Sequence, residues 1–207
     1  MPLPPQDITQ ASTSKGKTAP DGRGQNMKAT ELLVHEHEVI GKVLDGAEAE
    51  ARHLRQSAEV RRDRLDKMLD FWKNFVDRCH HTKEEKHLFP ALEERGVPGD
   101  SGPIAVMLQE HEEGRRMVRA FAEALHQSAR APERAARVLA ERLEAYVALL
   151  RPHIEKENNV LFPLANRVLR AEDQERLLQA FEKVEAEEMG EGTHERYHNL
   201  AHELAEE

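Results

Sequence analysis

A single cysteine, Cys79, stands in 207 residues, which excludes an intramolecular disulfide framework and makes a reducing cytoplasm the expected compartment. Aromatic side chains make up only 4%, and valine and isoleucine are sparse, so the usual material of strands is thin. Long hydrophobic runs are missing: no stretch approaches the roughly 18 apolar residues that cross a bilayer. The first residues likewise hold no apolar run of signal-peptide type. Positive charge is also in deficit. A formal net charge of -9 argues against nucleic acid or an anionic membrane as the main partner, because both reward a basic face.

What the chain does have is helix-forming material, rich in alanine, leucine, glutamate and arginine, with 33% charged residues. Four long segments carry helical periodicity. The first, about 29–56, places Leu33, Ile40, Leu44 and Ala47 on one face. The second, about 60–94, carries the stripe Leu65, Leu69, Trp72, Val76, His80, Glu84 and Leu88. "RGVPGDSGP" breaks the pattern, and Pro103 then sits where a helix should start. The third stripe runs through Ile104, Met107, Leu108, His111, Val118, Ala122 and Leu125; the fourth through Leu139, Leu143, Tyr146, Leu150, His153, Glu157, Leu161 and Leu164. The expected fold is all-α, an antiparallel up-down four-helix bundle over residues 28–171. Residues 1–27, rich in Pro, Ser, Thr and Gly, read as a disordered tail, and 172–207 as a short C-terminal helical appendage.

The chain repeats itself. "HHTKEEKHLFP" at 80–90 returns as "HIEKENNVLFP" at 153–163, and "EHE" at 36–38 returns at 110–112. Residues i and i+4 of an α-helix share a face, so His80 points with Glu84, and His153 with Glu157. His37 and His111 interrupt the apolar faces of the first and third helices. Each helix therefore aims an imidazole at the bundle axis, and two helices add a carboxylate. Burying such a set bare would cost several kcal/mol per ionised carboxylate, whereas divalent cations offset the cost at once. Four nitrogens and two carboxylates exceed one tetrahedral zinc site and suit two carboxylate-bridged transition metals. Mixed imidazole and carboxylate ligation fits iron best, with manganese and zinc as the other candidates. His81 and Glu85 are also four apart, but they are turned about 100° off the stripe, so His81 reads as a flanking residue. Glu38 and Glu112 match across the repeat, either as acceptors that could orient imidazoles or as exposed helix surface. The prolines, Pro90 and Pro163, would kink the helices past the ligands. Cys79 reads as a buried inert thiol, and Tyr146 as core.

These residues resemble the hemerythrin family, in particular its HHE cation-binding branch, over about residues 29–170. The elements that carry the resemblance are "EHE" with His37, "HHTKEEKHLFP" with His80 and Glu84, "EHEEG" with His111, and "HIEKENNVLFP" with His153 and Glu157. The resemblance implies a bundle around a non-haem di-iron centre that binds dioxygen, nitric oxide or a related oxidant such as peroxide. Those six residues would be ligands, and Glu84 and Glu157 the bridges. One position departs: oxygen-carrying hemerythrins have a second histidine four residues after that of the third helix, and here Arg115 stands in its place. One iron would then lack a nitrogen unless His81 or a glutamate such as Glu110 moves in. Iron-repair members carry an N-terminal cysteine-bearing segment, which residues 1–27 do not match. The expected function is a di-iron protein that binds or senses a small oxidant or handles iron. The alternatives are a peroxide-reducing or ferroxidase-like enzyme and a zinc-stabilised interaction module.

Overall fold

The computed structural model describes residues 27–190 and 193–206; of the expected tail, residues 1–26 lie outside that range. Six helices make up the described residues: α1 (Ala29–Ser57), α2 (62–94), α3 (Gly102–Gln127), α4 (132–168), α5 (171–189) and α6 (Thr193–Ala205). The bounds follow the sequence punctuation. The α1 start is tied by the Lys28 backbone N–H donating to Glu31 Oε2 at 2.9 Å, and Pro103 occupies the first turn of α3, where a missing N–H costs nothing. Gly96 and Gly102 take positive φ values of 86° and 65° on either side of the α2–α3 turn.

Connections of a few residues make α1 to α4 antiparallel neighbours, the four-helix bundle that the periodicity predicts. Its interior divides in two along the axis. One apolar cluster gathers Leu44, Leu54, Leu65, Trp72, Phe121 and Leu143, among others. The second gathers Leu33, Leu88, Phe89, Ile104, Leu161 and Phe162 at the opposite end. The polar residues of the four stripes fall between these clusters.

The last two helices close the bundle's flanks. Leu177 and Phe181 of α5 join the second cluster, and Tyr197, Ala201 and Leu204 of α6 join the first. The α6 contact needs Gly46: a Cβ there would stand 2.1 Å from the Leu204 carbonyl oxygen. Arg64 Nη2 donates to the same oxygen at 2.6 Å, placing a cation on the helix C-terminus. No helix among the described residues is long and apolar enough to cross a membrane.

Candidate metal centre

All six residues singled out in the sequence are buried, and they converge. His37, His80, Glu84 and Glu157 bring ligand atoms within 4.8 Å of one another. His111 and His153 form a second group, and it has a third member, His81. Within the first group His37 Nε2 lies 3.0 Å from His80 Nε2; within the second, His111 Nε2 lies 3.2 Å from His153 Nε2. The carboxylates stand between the groups. Glu84 Oε2 is 3.7 Å from His80 Nε2 and 3.5 Å from His111 Nε2. Glu157 Oε2 is 3.1 Å from His37 Nε2 and 3.3 Å from His153 Nε2.

His81 corrects the sequence reading, which turned it away as a flanking residue. That reading assumed α-helical rotation of about 100° per residue. From Trp72 to His81, however, α2 runs as a π-helix. Its i→i+5 bonds put more residues in each turn, so adjacent side chains diverge by a smaller angle. His80 and His81 therefore both reach the interior, with ring centroids 5.8 Å apart. The local signal was the bare "HH" dipeptide, together with the histidine missing at Arg115.

The same widening explains the prolines. Residues Glu84–Leu88 and Glu157–Leu161 are π turns, closed by the Phe89 N–H donating to the Glu84 carbonyl and the Phe162 N–H to the Glu157 carbonyl. The next residue each time is Pro90 or Pro163, which has no N–H to offer and whose ring crowds the carbonyl four residues back. Each proline thus sits where the α-register is broken anyway, one widened turn beyond a buried carboxylate.

Each of the four imidazoles that the repeat carries turns Nε2 inward and Nδ1 outward to an acceptor. His37 Nδ1 meets Asn158 Oδ1 at 2.8 Å, and His111 Nδ1 meets Glu85 Oε1 at 2.7 Å. His80 Nδ1 meets Glu36 Oε2 at 2.8 Å, and His153 Nδ1 meets Glu110 Oε2 at 2.9 Å. Such partners set the tautomer and present Nε2 as the free lone pair. The orienting glutamates are the first residues of each "EHE", Glu36 and Glu110, while Glu38 and Glu112 are exposed, the second of the two readings the repeat left open. Both are held in turn by a lysine, Lys83 on Glu36 and Lys156 on Glu110. The pairs match across the repeat, but His81 does not: its counterpart is Ile154. Arg115 stays outside the centre, where its guanidinium donates to Asp77, Glu85 and Glu112, each at 2.7 Å.

The electrostatics leave this set incomplete. All four carboxylate oxygens of Glu84 and Glu157 and both ring nitrogens of His81 are buried without a hydrogen-bond partner among the described residues. Burial, with the neighbouring Glu157 adding to it, pushes the Glu84 carboxyl well up. Burial also pushes His80 down to about 4 and holds His81 well below its usual range, so both offer neutral lone pairs. At His153 the Glu157 and Glu110 carboxylates outweigh burial and raise it. Five imidazoles and two orphaned carboxylates around one point are the donor set of divalent transition metals, and the residues fit such a group. Burial pushes the Cys79 thiol up to about 12, so it supplies no thiolate. Tyr146 packs on Trp72 with centroids 4.7 Å apart.

Comparison with known proteins agrees with this geometry. The model of the hemerythrin HHE cation-binding domain matches residues 28–165, and the chain belongs to that family. An uncharacterized protein of Mycobacterium tuberculosis, Rv1995, is 27% identical over 179 residues, covering 85% of this chain and 69% of its own length. The iron-sulfur cluster repair protein YtfE of Pectobacterium carotovorum is 36% identical over 91 residues, 42% of this chain and 41% of that protein.

Proposed function

We propose that this hemerythrin-family chain holds two iron ions in the His/Glu centre and binds or senses dioxygen or another small oxidant there. The observation that carries the reading is the pair of carboxylates, Glu84 and Glu157, buried without hydrogen-bond partners and each within 4 Å of an imidazole nitrogen from both groups. Glu84 and Glu157, together with the imidazoles, would hold the two ions. His37 and His80 would hold one ion; His81, His111 and His153 would hold the other. With two imidazoles against three, the His37/His80 half is where an outside ligand would bind. His81 makes up the nitrogen that Arg115 removes, which favours ligand binding over a merely structural site. Iron supplies reversible electron donation to a small ligand when bound.

The chain's own residues do the rest. Glu36, Glu85, Glu110 and Asn158 orient the imidazoles. Phe162, stacked on His37 with centroids 5.4 Å apart, would shield the His37/His80 half from water. The name of the Pectobacterium relative, an iron-sulfur cluster repair protein, supports iron over zinc.

The test is metal analysis of protein made with iron as the only supplied transition metal, followed by spectroscopy. Two iron per chain and a visible band that develops in air and reverses under vacuum are the expected results. Sustained peroxide turnover with an electron donor would move the reading to an enzyme. Zinc with no redox response would reduce it to an interaction module.

A further inference from the structure

One cavity opens from the surface onto the centre, between α2, α3 and α4. Its volume is about 190 Å³. A cavity of about 150 Å³ already holds a benzene ring. Trp72, Val76, Val118 and Tyr146 make apolar walls, and His81 is the metal-centre residue that the cavity touches.

Trp72 and His81, both on this lining, carry polar groups buried without a partner among the described residues: the indole N–H, a donor only, and the imidazole nitrogens. Lys73, Arg115 and Arg119 add three positive charges to the lining against one carboxylate, Asp77. Arg115 is bound to Asp77, which leaves the exposed Lys73 and Arg119 as rim charges on a chain whose net charge is -9. Gly114 keeps the space open: a Cβ there already reaches ordinary contact, 3.8 Å, with Tyr146 and Leu149, so a larger side chain must fill the cavity.

We propose that this cavity binds a small organic carboxylate, its body against the apolar walls of Trp72, Val76, Val118 and Tyr146 and its anionic head taken up by the cationic rim. The aromatic walls select an organic body over a bare inorganic oxyanion, and the rim charges select an acid over a neutral molecule. The site lies against His81, so its place beside the metals rests on the proposed function. Binding itself does not, and it is read on metal-free protein.

Trp72 is the sole tryptophan, so its fluorescence reports the cavity directly. The full-length protein, metal-free and iron-loaded, is titrated with benzoate, benzamide and nitrite. Benzoate should give a saturable change that benzamide and nitrite give at least tenfold more weakly. Gly114→Leu should abolish the change at unaltered metal content. Lys73→Gln with Arg119→Gln replaces two exposed side chains, so folding is not at stake, and should weaken benzoate about fivefold. Equal binding of benzamide, equal binding of nitrite, indifference to the double substitution, or no saturation would each overturn the proposal. Metal content, measured separately, tells that failure from failure of the di-iron reading.

Discussion

The imidazoles of His81 and His111 stack face to face, with centroids 3.8 Å apart and planes 16° from parallel. They come from different helices, and no hydrogen bond joins them. Burial, with His111 adding to it, holds His81 neutral, which is the state a ligand needs. This contact makes the repeat asymmetric, because the matching position on α4 is Ile154.

On the proposed di-iron reading, replacing His81 with alanine is therefore expected to strip metal from the His111/His153 half while the other half keeps its own. Metal per chain should fall from two toward one, with chelator competition weakened by at least 10–100-fold at the lost site, the scale at which even supporting residues act. His87→Ala, at a half-exposed position on the same helix, should leave both metals in place. Unchanged stoichiometry in His81→Ala would remove it from the ligand set.

Glu84→Gln separates metal binding from folding. In metal-free protein the Glu84 carboxyl is pushed up by burial, so a neutral isostere should be neutral or stabilising by about 1 kcal/mol. Bound metal should be lost in the same variant. Thermal melts with and without metal check the opposite signs.

Lys83 and Lys156 hold equivalent glutamates, yet Lys83 is 0% exposed and Lys156 39%. Lys83 also reaches Glu185 of α5 at 2.7 Å, which shuts it in. Lys83→Met should cost about 3–5 kcal/mol, because two carboxylates lose a buried cation. Lys156→Met should cost under about 1 kcal/mol. Denaturant midpoints of the two variants decide the matter.

Acid should destabilise the metal-free protein before ordinary carboxylates titrate. His80 is held down at about 4 against an ordinary value of about 6.5, so between those values the unfolded chain binds a proton that the native one refuses. Stability then falls as pH falls through that window, by up to roughly 3 kcal/mol from His80. His81 acts in the same direction. Glu84 acts oppositely: protonated in the fold, it contributes stability that is lost as pH rises past its raised value. Melts across the pH range should show an optimum flanked by both losses, and metal should abolish the alkaline one.

Much of this was legible in the residues. The helix positions, the bundle and the convergence of His37, His80, Glu84, His111, His153 and Glu157 follow from a 3.6-residue period and a repeat offset of 73 or 74. Those are local or strictly periodic properties, carried by composition and spacing alone. The identity of Glu36 and Glu110 as orienting acceptors was less legible, since both glutamates of "EHE" stand beside a histidine and only the neighbouring helix selects one. The tie from Glu185 to Lys83 spans 102 residues and leaves no periodic trace.

The sequence by itself determined where helices run and which stripe faces inward, because burial of apolar side chains imposes one rotation per residue along an α-helix. Tertiary structure alone decided that α2 widens between Trp72 and His81, and so that a fifth imidazole enters the centre. Two registers of one helix differ little in local energy, and the packing of the other three helices around a shared polar core selects between them.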